Sequence, residues 1–160
     1  MATKAKIKIM DNQELRGAID ALNEKMDQIV LAKWSIELVK HIIESMEMDQ
    51  ETLDEIKKGI GINEQWQLGN LGVHEVRLAA LAMHKLARES DDEVKKTVLR
   101  AVGHAIASGH MKEHAMVASD YATKAVGLIS KNDEASITSE RQWQLMSLEE
   151  IIFKIEKLRE

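Results

Sequence analysis

The chain contains no proline, and only eight glycines interrupt its 160 residues. Proline ends a helix by removing a hydrogen bond and clashing with the preceding turn, and glycine weakens one through its backbone freedom. A chain without the first and poor in the second can run as long helices joined by short polar turns. All-β architectures, which need Gly and Pro at their many corners, are disfavoured on the same ground. The apolar spacing agrees. Ile29, Ala32, Ile36, Val39, Ile43 and Met46 step by three and four, one stripe of an amphipathic helix expected over residues 23–48. Val30, Trp34 and Leu38 make a second stripe beside it, which predicts a central place for this helix in the packing.

The rest of the chain reads the same way. A first helix is expected from about Asp11, with Asp11 or Asn12 as its cap. Residues 50–64 read as a weaker helix interrupted at Gly59 and Gly61. A fourth helix over residues 73–89 has Val76, Ala79, Ala80, Met83, Leu86 and Ala87 as its core face. Ser90, Asp91, Asp92 and Glu93 open a fifth, with acids where the helix dipole favours them, and Gly109 closes it. A sixth, over residues 110–130, is expected to bury Val117, Ala118, Tyr121, Ala125 and Leu128. A last helix spans residues 139–158. Small residues crowd helices four to six and predict the closest packing there. Residues 1–10, MATKAKIKIM, alternate Lys4, Lys6 and Lys8 with Ala5, Ile7 and Ile9. They read as a basic tail, or as an extended arm or short strand lying on the helices. The expectation is an all-α fold, a single compact bundle of six to seven helices over residues 11–160.

Composition removes several classes of function. Acids outnumber bases 27 to 22, for a net charge of -5, which counts against nucleic acid or an anionic membrane as partner. There is no cysteine, hence no disulfide, thiolate metal site or cysteine nucleophile. No apolar run approaches the roughly 20 residues of a membrane span, and none resembles an export signal, so a cytoplasmic location is expected. Phosphate-binding glycine loops, a nucleophile elbow and an EF-hand loop are all missing, and no cofactor or catalytic group is implied.

Histidine is the informative residue type. Three of the six fall in GHAIASGHMKEHA: His104, His110 and His114. His110 and His114 have the spacing of two imidazoles on one helical face, and with His104 they could hold a metal ion. The alternative is three structural histidines, hydrogen-bonded within the core, and burial is then expected to keep at least one of His110 and His114 neutral at pH 7. No Glu-x-x-His occurs, which removes the di-iron bundle pattern. Arg77, His84 and Arg88 line one edge of the fourth helix, suited to an anionic ligand, an acidic partner surface or neighbouring acids. Glu37 and His41 are spaced for a helix-surface contact.

Four segments taken together resemble a known family. Trp34 is followed seven residues later by His41, and Arg77 likewise by His84. Residues 101–115 fit AxGHAxAxxHxxxHA, and Glu140, Arg141, Trp143 and Gln144 fit E-R-x-W-Q. In this order, over about residues 30–146, the pattern resembles the small all-helical immunity proteins of bacterial polymorphic toxin systems. The resemblance implies an intracellular, non-catalytic antidote whose partner is a cognate toxin domain. It implies a binding or structural role for Trp34, His41, Arg77, His84, Arg88, His104, His110, His114 and Trp143.

Overall fold

The computed structural model describes residues 2–160. Seven helices follow in order: α1 (Gln13–Lys25), α2 (Gln28–Glu44), α3 (Gln50–Gln67), α4 (Val73–Glu89), α5 (Glu93–Ala107), α6 (His114–Ser130) and α7 (Glu134–Leu158). Among the described residues there is no strand. No helix there is long and apolar enough to cross a membrane.

Short acidic and amide side chains set most of the starts. Asn12, Asp27, Asp49, Asp92 and Asp133 each accept a hydrogen bond from a free N–H of the first turn they precede. These caps move several expected boundaries. The helix expected from residue 23 starts at Gln28, because Asp27 caps it while the Met26 N–H falls back on the Asn23 carbonyl at the end of α1. The last helix starts at Glu134, capped by Asp133, one turn before the expected residue 139. At the other junction the expected start was too early. Residues 109–113 form turns hung on the Ala107 carbonyl, and α6 begins only at His114.

The glycines of α3 do not interrupt it. A Cβ at Gly59 would stand 2.7 Å from Ile106 Cδ1, so this glycine lets α3 lie against α5. A Cβ at Gly61 would meet nothing within 4 Å.

Helix α5 is the hub, packed against α2, α3, α4 and α6. Val98, Leu99, Ala101, Val102, Ala105 and Ile106 are fully buried. Ala115, Ala118, Ala122 and Ala125 of α6 and Ala79, Ala80 and Ala87 of α4 join the same core, so backbones approach closely around α5. Helix α2 forms the second axis of the core through Leu31, Trp34, Leu38 and Val39. Ile29, at the head of its expected stripe, is 37% exposed. Helix α1 packs on α7. Leu128, expected in the core, is also exposed. Helix α6 lies between α5 and α7, and toward α7 it presents Ser119, Asp120 and Thr123 instead of an apolar stripe.

Residues 2–10 carry no regular secondary structure, yet they are tied down. Thr3 donates to Asp20 from its N–H and its hydroxyl, both at 2.7 Å, and Arg16 donates to the Thr3 carbonyl at 3.0 Å. Ala5, Ile7 and Ile9 are half-buried while Lys4, Lys6 and Lys8 are exposed.

Two substitutions in one helix separate propensity from packing. Gly61→Ala should stabilise the fold by about 0.5–1 kcal/mol, the helix-propensity gain at an open site. Gly59→Ala should lose that gain to overpacking against Ile106 and come out destabilising by about 1–3 kcal/mol. Urea denaturation of both variants checks the contrast, and a stabilising Gly59→Ala would refute the packing argument.

Candidate functional site

Helix α7 carries the E-R-x-W-Q sequence, and each side chain in it takes a different direction. Arg141 points inward and its side chain is fully buried. Its Nε and Nη2 donate to the two carboxylate oxygens of Asp11, both at 2.8 Å. Nη2 also reaches Asp120 at 2.8 Å, and Nη1 donates to Ser119 at 2.7 Å and Gln144 at 3.0 Å. Asp120 is held from its other side by Arg16, bidentate at 2.9 Å. Burial of these charges is tolerated because every one of them is paired. Gln144 accepts from Ser119 at 2.7 Å, and its backbone carbonyl accepts the Trp34 indole N–H at 2.9 Å. Trp34 is thus an anchor of the core that fastens α2 to α7.

Glu140 and Trp143 face the other way, toward α2. The Trp143 ring stacks on His41, with centroids 3.7 Å apart and planes 7° from parallel. His41 Nε2 lies 3.2 Å from the Glu140 carboxyl. Burial pushes the Glu140 carboxyl up to about 7, against the pull of Gln144 and Arg141, and burial pushes His41 down, against Glu44. Near neutral pH the Glu140 carboxyl is therefore partly protonated, and His41 is biased toward its neutral form. The expected Glu37–His41 contact is replaced by this one, and Glu37 stands by Lys40 instead, at 3.9 Å. Trp143 is the ridge between two grooves. One of about 520 Å³ runs past His41, Ser136, Ser139 and Glu140. The other, of about 590 Å³, is bordered by Lys33, Glu37, Gln67, Met146 and Lys154.

A second constellation forms where α4, α5 and α6 meet. His84 and His104 contact edge to face with centroids 4.9 Å apart. His104 meets His114 edge to edge, with centroids 5.2 Å apart, and lies nearly parallel to Tyr121, at 5.4 Å. His110, in the turn before α6, lies 6.3 Å from His114. A Cβ on Gly103 would stand 2.8 Å from the His84 ring, so the glycine of the GHA sequence gives that ring its seat on α5. Burial, then the positive charge of neighbours including Arg100, pushes His84 down to about 4. His104 is pushed down to about 3 by burial, then by the two histidines beside it. Burial also lowers His114, and the three rings are neutral at pH 7.

The sequence reading paired His110 with His114 as neighbours on one helix. They are not, because His110 precedes the helix. His104 and His114 meet Nδ1 to Nδ1 at 2.9 Å, a hydrogen bond shorter than the roughly 3.3 Å between two nitrogens on one tetrahedral zinc. Among the described residues no three His, Cys, Asp or Glu side chains are grouped to hold a metal ion. Arg77 and Arg88 are exposed on α4. Sequence reasoning passed over Arg16, Arg100 and Asp120, and offered Asp11 only as a helix cap. A signal was present for Asp120, a charged residue between Ala118 and Ala122 on a helix expected to be buried.

Replacing Arg141 by Met leaves Asp11 and Asp120 buried without their shared cation, and should cost about 3–5 kcal/mol in urea denaturation. The pH dependence has two opposing parts. His84 and His104 bind protons in the unfolded chain near 6.5 but in the folded chain only near 4 and 3, so they withdraw stability as pH falls from about 6.5 to 4. Glu140 binds its proton near 7 folded and 4.5 unfolded, so it adds stability as pH falls through the same range. Glu140→Gln should therefore make the loss of stability between pH 7 and 5 steeper than in the unaltered protein. A shallower loss would refute the assignment.

Over residues 21–151 the sequence matches the family described as "Imm-5 like putative immunity protein". No curated protein and no solved structure matches the chain. The matched span takes in Trp34, the His41–Trp143 ridge, the histidine row and the E-R-x-W-Q segment that holds the buried charges, and on that match the chain belongs to the Imm-5 like immunity-protein family.

Proposed function

We propose that the protein is an antidote that binds a cognate toxin domain in the cytoplasm and occludes it, without turning over a substrate. Membership of an immunity-protein family is the observation that carries this reading. The surface along α7 supports it. Trp143 is partly exposed on its ridge, and Met146 and Phe153, seven positions apart on one helical face, are 67% and 59% exposed. Large apolar side chains left in water beside a tryptophan, with charged residues at the margin, have the make-up of an interface centre and its rim. His41 and Glu140 fix the Trp143 ring before any partner arrives, which lowers the entropy cost of docking. The toxin domain is proposed to cover this ridge.

Co-expression with a toxin domain taken from the neighbouring reading frame tests the proposal. The unaltered protein should restore growth and copurify in a one-to-one complex. Met146→Glu with Phe153→Glu should abolish rescue while leaving the thermal unfolding midpoint essentially unchanged, since both side chains already face water. Growth inhibition that persists with the unaltered protein in excess would overturn the antidote reading. Rescue that survives the double substitution would overturn only the placement of the interface.

A further inference from the structure

The histidine row has a consequence in its protons. Arg100 has only N–H groups to offer, so it donates to His84 Nδ1, 2.9 Å away. The proton of neutral His84 must then sit on Nε2. His104 and His114 share one proton between their Nδ1 atoms, one ring donating and the other accepting. The accepting ring must carry its own proton on Nε2. Two imidazole N–H donors are therefore left over, on rings that touch through His104. Neither is sealed in the interior: among the described residues, Asn23 Oδ1 is the buried side-chain polar atom that lacks a partner.

The charges around these donors are mostly of one sign. Lys6 lowers the proton affinity of both His104 and His114, and Arg88 and Arg100 lower that of His84. Glu113 offsets this at His114. The arm that carries Lys6 is held in place at Thr3 by Asp20 and Arg16. In a chain of net charge -5, this gathers positive charge around two N–H donors that no carboxylate accepts from.

We infer that His84, His104 and His114, with Arg100 and Lys6, form a binding site for an oxyanion, a phosphate or a carboxylate. The imidazole N–H groups and Arg100 supply directed hydrogen bonds, and Lys6 supplies charge. This site lies apart from the α7 ridge and does not depend on the antidote reading.

The test is a titration of the full-length protein at pH 7 and constant ionic strength, followed by imidazole ring signals in NMR. Inorganic phosphate is one ligand, glutarate a second, and chloride the control. Saturable shifts of the His84, His104 or His114 signals are expected with at least one oxyanion and not with chloride. A response to phosphate alone identifies a phosphoryl ligand, and a response to glutarate alone identifies an acidic side chain or metabolite. Lys6→Gln, on an exposed arm residue, should weaken binding about tenfold, as should Arg100→Gln. Ring signals that phosphate and glutarate leave unmoved, or move no more than chloride does, would overturn the proposal. So would unchanged affinity in Lys6→Gln and Arg100→Gln proteins whose circular dichroism is that of the unaltered chain.

Discussion

Arg141 carries a full positive charge into a place with no access to water. The effective cost of such a transfer is several kcal/mol per ion, and it is offset only when geometry and hydrogen bonding are both close to ideal. Asp11 meets two of the guanidinium nitrogens, Asp120 shares one of them, and Ser119 and Gln144 take the third. Asp120 needs a second cation of its own, which Arg16 provides, and Arg16 in turn holds the Thr3 carbonyl. One buried charge on α7 thereby fixes the segment before α1, α1 itself, α6 and the N-terminal arm. An apolar core of Ala, Val and Ile leaves many near-equivalent packings of seven helices. A set of charges that can be satisfied in one arrangement does not, and this makes the network the part of the fold on which both surfaces depend.

Those surfaces handle histidine in opposite ways. His41 lies against a carboxyl that burial has made weakly acidic, and its ring serves as a platform for Trp143. Burial biases both groups of the platform toward their neutral forms, which suits a protein–protein contact where desolvating a charge would be costly. The row of His84, His104 and His114 lies among cations, and its rings stay neutral because a further positive charge there would be repelled and poorly solvated. On the two readings proposed above, the row would answer to negative charge and the ridge to apolar surface. They are carried by different helices of one core, α7 against α2 in one case and α4 to α6 in the other.

Much of the fold was legible from spacing alone. The bounds of α4 coincide with the expected residues 73–89, and Trp34 and Leu38 are fully buried on the second stripe of α2. The errors have local and distant causes. Asp27 and Asp133 compete with the apolar pattern for the local backbone, and their caps moved two helix starts away from the expected residues 23 and 139. Gly59 was read as an interruption because its reason for being glycine, the approach of Ile106, lies 47 positions along the chain. His41 was given to Glu37, its neighbour by helical spacing, and in the fold it turns to Glu140 on another helix. Leu128 was placed in the core by its spacing from Tyr121, but the side of α6 that α7 covers is polar.

By itself the sequence determined the helical class, the count of elements and which segments are buried. Those properties rest on proline content and on a periodicity that repeats within a few residues. The family was also legible, in short motifs whose order is written along the chain. Only the tertiary structure decided what the polar residues do. Asp11 and Arg141 are 130 positions apart, and Arg16 and Asp120 are 104 apart. A charge can be predicted to need a partner, since burial without one costs several kcal/mol. Which of 27 acids and 22 bases meets which is set by the packing of whole helices, because hydrogen bonds act over about 3 Å of space and take no account of distance along the chain.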